Sequence, residues 1–277
     1  MTAVARAPRA PRPQVVRVRG RAALAIGLTS LAGLAMFCWP LLLQPGDGVA
    51  HRVDAPLAFV LLLPALLAVV FAEVAEGGLD ARALAMLGVL SALGAALRPM
   101  GAGTAGIETI FFLLVLAGRV YGPGFGFVLG STTLFTSALL TAGVGPWLPF
   151  QMLAASWVGM GGGLLPRASG RRELAVLAVY GAVAGYGYGL LLNLWGWPFT
   201  IGDGGSVSYL AGASVFENLH RFWLYTIATS TWGWDTGRAV TNVVAILVVG
   251  PAVLAALRRA SRRAAFDAPI SFDTDAS

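Results

Sequence analysis

The sequence predicts an all-α integral membrane protein of eight spans, and three observations carry that prediction. Hydrophobic residues make up 57 % of the 277 positions and charged ones only 12 %, where soluble domains hold roughly 25 % charged. A mean hydropathy of +0.76 leaves too little polar surface for a shell facing water. The apolar residues also fall in long runs separated by short turns, and a helix needs about 20 such residues to cross the hydrocarbon.

The spans follow in chain order. Ala23–Leu43 is the first and Leu57–Ala72 the second, with a turn carrying Pro, Gly and Asp between them. The first run begins after arginines, as a signal peptide would, but it is too long and no small-x-small cleavage site follows, so it reads as a retained span. Ala83–Leu97 is the third, stopped at Arg98-Pro99, and Ile107–Gly118 the shorter fourth. From Val120 to Pro166 no charge occurs in 47 positions, enough for two passes. The break falls at Gly143–Pro146, giving Phe125–Ala142 and Trp147–Leu165. Leu174–Trp197 is the seventh span and Ala239–Leu257 the eighth. Short polar stretches, including Glu73 and Glu76 at a membrane edge, connect them.

Charge placement orients the chain. All 19 basic residues are arginine, six before the first span and four after the last. With the N-terminus inside, 15 of the 19 fall on the cytoplasmic side and only Arg52, Arg98, Arg221 and Arg238 outside, as the positive-inside rule requires. The expected location is therefore the plasma membrane, multi-pass, with both termini cytoplasmic. The basic clusters meet anionic headgroups and lack the aromatic interleaving of a nucleic-acid surface, so no nucleic-acid partner is expected.

Residues 1–22 form a basic cytoplasmic arm, 23–78 a two-helix extension, 79–258 the membrane core and 259–277 a cytoplasmic tail. Within the core, residues 198–237 are external and rich in Trp, Phe and Tyr. Such a segment is either a lid over a cavity or an interfacial helix.

Catalytic chemistry has no foothold, and the chain is not expected to be an enzyme. The lone Cys38 excludes a disulfide framework, and His51 and His220 lack a second ligand at metal spacing. No phosphate loop, H-E-x-x-H or G-x-S-x-G occurs, so neither a cofactor nor a metal is expected. Polar groups within spans are more informative, because lipid offers them no partner. Gln151 follows Trp147 by four residues on one helix face, and Asn193 sits beside Trp195 with Tyr188 just before it. Amides and aromatics at one depth suit a flat, hydrogen-bonding small molecule, and they equally suit interhelical hydrogen bonds and an aromatic belt. Arg98 and Glu108 share that external side, where compensation of helix dipoles also accounts for them. Small residues recur every four positions at Gly88/Ala92/Ala96, Gly122/Gly126/Gly130, Gly159/Gly163 and Gly181/Gly185/Gly189. Such rows allow close helix approach, within the chain or to a partner.

The segment Tyr121–Arg167, and most sharply Gly145–Ala155 (GPWLPFQMLAA), resembles the substrate-binding membrane subunit, or S component, of energy-coupling-factor (ECF) vitamin transporters of the actinobacterial type. The likeness covers about Leu79–Arg258. It implies a six-helix core preceded here by two extra transmembrane helices, holding a vitamin or vitamin-like molecule outside. It also implies a transmembrane coupling protein and two ATPase subunits as partners in an ABC importer. Gly88, Ala92 and Ala96 match the family's docking position for the coupling protein. Thiamin, riboflavin, biotin and cobalamin fit an aromatic site equally well. The competing class is a self-sufficient secondary transporter, which would need a carboxylate at the bilayer midplane or a discontinuous helix, or an integral membrane enzyme.

Overall fold

The computed structural model describes residues 18, 20–42, 63–65, 67–68, 71–72, 81–101, 106–200 and 205–264, and all regular structure among them is helical. Helix α1 is Gly20–Phe37, followed by one further turn at Trp39–Leu42; α2 is Ala81–Leu97 and α3 Phe111–Tyr121. Helices α4 (Pro123–Leu140), α5 (Leu148–Leu164) and α6 (Gly170–Thr200) come next. Then α7 (Val215–Thr226) runs through a π-helical stretch, Ile227–Asp235, into α8 (Thr236–Val248), and α9 (Gly250–Ala264) closes the order. Among the described residues four helices are long and apolar enough to cross a membrane, or five if the bent α7–α9 unit is counted as one span. These helices fit a multi-pass membrane protein. Of the predicted second span only scattered positions are described, with Leu63 and Leu67 buried. His51, Arg52, Glu73 and Glu76 lie outside the described residues.

Proline and glycine set the boundaries. Pro123 and Pro149 stand in the first turns of α4 and α5, where a missing N–H costs nothing and the fixed φ is already helical. Between α3 and α4 the chain reverses at Gly122, whose φ of 98° favours glycine.

Helix α3 is the centre of the core. Its 11 residues reach only about 16 Å, and from Leu113 to Tyr121 every one is buried. Helices α4 and α5 flank it so closely that backbones touch: a Cβ on Gly126 or Gly118 would strike the Gly159 carbonyl, and one on Gly130 the Ala155 carbonyl. The rows Gly126/Gly130 and Gly159/Gly163 are thus internal seams. Gly159→Leu forces backbone apart rather than displacing a flexible side chain, and overpacking costs about 1–3 kcal/mol or more. The expected result is a lowered unfolding temperature in detergent; unchanged stability would show that the seam yields freely.

The N-terminal helix belongs to the same body. Trp157 Nε1 donates to Ser30 Oγ at 2.9 Å, Trp39 Nε1 to the Trp195 carbonyl at 3.2 Å, and Phe37 meets Phe150 edge-on at 5.2 Å. The row Gly88/Ala92/Ala96 stands apart from the others. Gly88, Ala92 and Ala96 are exposed, beside exposed Leu84, Val89 and Leu93. The opposite face of α2 is the one that packs, through Ser91 with Thr132 at 2.7 Å and Gly94 against Thr133.

Two segments differ from the sequence reading. Residues 198–237 are largely helix: α6 continues to Thr200, and one helix runs unbroken over Val215–Val248. Both exceed the roughly 30 Å of a hydrocarbon core at 1.5 Å per residue. Their aromatic ends form a small core of their own, with Trp197 against Tyr209, Phe222 and Tyr225. Ser214 caps α7 by accepting from the Glu217 N–H at 3.2 Å. The predicted eighth span, Ala239–Leu257, is interrupted after Val248, where α9 turns away by 65°. Pro251 supplies the break, since it has no N–H and disfavours helix at the residue before it. Helix α9 then presents Leu254 and Leu257 to the core and Arg259 and Arg262 outward.

Candidate functional site

The π-helical stretch organises the site. A π turn inserts a residue into an α-helix and shifts the faces that follow it. Here hydroxyls bond five residues back, Thr231 Oγ1 to the Thr226 carbonyl at 3.1 Å and Thr236 Oγ1 to the Thr231 carbonyl at 2.6 Å. Asp235, at its end, and Arg238, three residues on, come to face the same way. The row Gly181/Gly185/Gly189 on α6 receives them: a Cβ at Gly189 would collide with Asp235 and Arg238, one at Gly185 would crowd Ala239, and one at Gly181 would crowd Ile246 and Asn242.

Arg238 is the hub of a buried charge cluster. Its Nε donates to Glu108 Oε2 at 2.8 Å, and one terminal nitrogen donates to Asp235 Oδ1 at 2.8 Å and to the Gly185 carbonyl at 3.3 Å. Asp235 accepts a further bond from Ser230 Oγ at 2.9 Å. The guanidinium lies over the rings of Tyr188, 5.2 Å to the centroid, and Phe111, 5.9 Å, a cation–π arrangement strengthened by burial. Glu108 is delivered by the non-helical approach to α3, and Gly106 (φ 77°) lets that approach pass against the Trp234 backbone.

Beside this cluster is a cavity of about 360 Å³, whose lining includes Arg98, Glu108, Ser137, Trp147, Trp234 and Arg238 together with Pro99, Ile107, Thr141 and three glycines. That volume lies at the lower end of small-molecule sites. Arg98 donates to Gln151 Oε1 at 3.1 Å, so α5 holds the side chain that closes the end of α2. Ser137 Oγ is buried with no hydrogen-bond partner.

Of the residues singled out in the sequence, Arg98, Glu108 and Trp147 line the cavity, and Gln151 reaches it through Arg98. Tyr188 backs it, beneath Arg238. Asn193 and Trp195 are not among the lining residues. Trp195 is buried against Phe150, with centroids 4.5 Å apart, and Asn193 Nδ2 is buried without a partner. From residues 198–237 it is Trp234, at the end of the π stretch, that reaches the cavity, while α7 does not. Arg238, Asp235 and Ser137 were not anticipated. Asp235 three residues before Arg238 was the available signal, hidden by reading that stretch as loop. No cluster of three or more His, Cys, Asp or Glu side chains able to hold a metal occurs among the described residues.

The fold and cavity together give a helical bundle, several of whose helices are long and apolar enough to cross a membrane, with a charged, aromatic-edged pocket at one end. Comparison with known proteins adds no family: no family model, no curated protein and no solved structure matches the chain.

Proposed function

We propose that this chain is the substrate-binding membrane subunit of an ECF-type importer, crossing the plasma membrane eight times with both termini cytoplasmic. In this reading it takes a vitamin-like molecule from outside and releases it inside when coupled to a separate transmembrane protein and two ATPases. The cavity at the Arg98/Trp147 end carries the reading, because it sits on the side that the arginine asymmetry assigns to the exterior. The sequence holds no nucleotide-binding motif, so ATP-driven uptake in this reading draws on separate ATPase subunits. The exposed face Gly88/Ala92/Ala96, which meets no other described helix, offers that partner a surface where backbones can approach closely.

Mass spectrometry of the small molecule that copurifies with the protein tests the binding half. For the coupling half, Ala92→Leu/Ala96→Leu is expected to abolish ATP-driven uptake in liposomes containing the partner subunits while ligand affinity stays at the wild-type value. Joint loss of binding and uptake would make this face an internal packing seam instead.

A second reading, a self-sufficient carrier, is favoured by one observation: Glu108 and Asp235 share the single cation Arg238 in a buried setting, the sort of acid pair a proton-coupled transporter uses. Uptake into liposomes driven by a pH gradient alone, without ATPases, would select it.

A further inference from the structure

Three charged side chains line the cavity, and they are not equivalent. Arg238 is committed: Glu108 and Asp235 both pair with it at 2.8 Å. Among the described residues Arg98 has no carboxylate partner, and its one hydrogen bond is to the neutral amide oxygen of Gln151. That bond fixes one terminal nitrogen and leaves the rest of the fork unbonded. A positioned guanidinium with free N–H groups at a cavity wall is a receptor for a planar anion, because its fork matches the two oxygens of a carboxylate.

Two further features specify what accompanies the anion. Ser137 belongs to the same cavity lining, and its Oγ is buried with no hydrogen-bond partner among the described residues, which costs free energy. Trp147 and Trp234 line the cavity while remaining 44 % and 45 % exposed, so each keeps ring surface free to cover a flat group.

We propose that the cavity recognises a ring-bearing monocarboxylic acid, its carboxylate on Arg98 and its ring against Trp147 and Trp234. The proposal rests on the substrate-binding reading above and names the class of molecule bound. One negative charge fits better than two. A phosphate would bring its second charge toward Glu108 with no second uncommitted cation to meet it. Gln151 is a positioning residue, holding Arg98 in place through Oε1.

The test uses the full chain purified in detergent, with benzoate and its neutral counterpart benzamide as probes in calorimetric titration. Benzoate is expected to bind saturably and benzamide roughly tenfold more weakly or worse, since only the first meets a charge-assisted fork. Arg98→Gln should bring benzoate down to the benzamide level, and Arg98→Lys should keep part of the preference. Trp147→Ala should weaken both probes alike. Unfolding temperatures confirm that each variant is folded, and Arg98→Lys carries the test if Arg98→Gln is not. Equal affinity for the two probes, a benzoate preference that survives loss of the Arg98 charge, or no saturable benzoate binding overturns the proposal. Transport is read separately by ATP-driven uptake of the copurifying molecule, so failure of the carboxylate assignment and failure of the importer reading give different results.

Discussion

Replacing Arg238 by methionine is expected to destabilise the protein by about 3–5 kcal/mol, because it leaves the buried Asp235 and the half-buried Glu108 without their shared cation. Asp235 is 2 % exposed and Glu108 sits at the cavity wall, each 2.8 Å from the guanidinium. Asp235 cannot be solvated where it stands and Glu108 only from the cavity, and the cation–π contacts to Tyr188 and Phe111 go with the arginine. For a chain of this size the loss corresponds to roughly 10 °C in unfolding temperature. The triple variant Arg238→Met/Glu108→Gln/Asp235→Asn should recover most of that stability, since removing every member of a buried ionic cluster is often neutral. A triple variant as unstable as Arg238→Met alone would show that the arginine acts through packing rather than charge.

The same cluster shows what the sequence could and could not convey. Long apolar runs are local properties, so the described helices Gly20–Phe37 and Ala81–Leu97 through Gly170–Thr200 lie close to their predicted places, while the predicted span Leu57–Ala72 falls mostly outside the described residues. Arg98, Glu108 and Trp147 were accessible because all three stand at the predicted external ends of spans, and depth along a membrane normal can be read from span boundaries. Lateral position cannot. Asn193 shares a predicted depth with Gln151, yet Trp195 beside it packs against Phe150 and gives its carbonyl to the Trp39 indole N–H, and neither lines the cavity. The π-helical stretch was also hidden, because residues 227–235 mix small hydroxyl and aromatic side chains that carry neither a helical nor a transmembrane period. The glycine row of α6 leaves the room that Asp235 and Arg238 occupy.

At the opposite end of the bundle the largest effect is expected from Arg119. Read from the sequence as one more cytoplasmic loop charge, it is 2 % exposed and buried in the last turn of α3. Its Nε donates to Glu173 Oε1 at 2.7 Å, and one terminal nitrogen donates to the carbonyls of Leu165 and Pro166, both at 2.9 Å. A single side chain thus ties α3 to the first turn of α6 and satisfies carbonyls at the end of α5 that no helix can reach. Glu173 is shared with Arg258 of α9, at 2.8 Å to each oxygen. The two arginines should not behave alike. Arg119→Met breaks a buried pair and orphans the carbonyls, and is expected to cost about 3–5 kcal/mol. The Arg258 side chain is 42 % exposed, so solvent screens its pair and Arg258→Ala is expected to cost about 0–1 kcal/mol. Arg119→Lys should fall between, since an ammonium keeps the charge but cannot fork toward Glu173 and the carbonyls together. Unfolding temperatures of the three variants in one detergent provide the comparison. Equal losses for Arg119→Met and Arg258→Ala would mean that burial does not rank these charges, and that Glu173 is anchored from α9 rather than from the core.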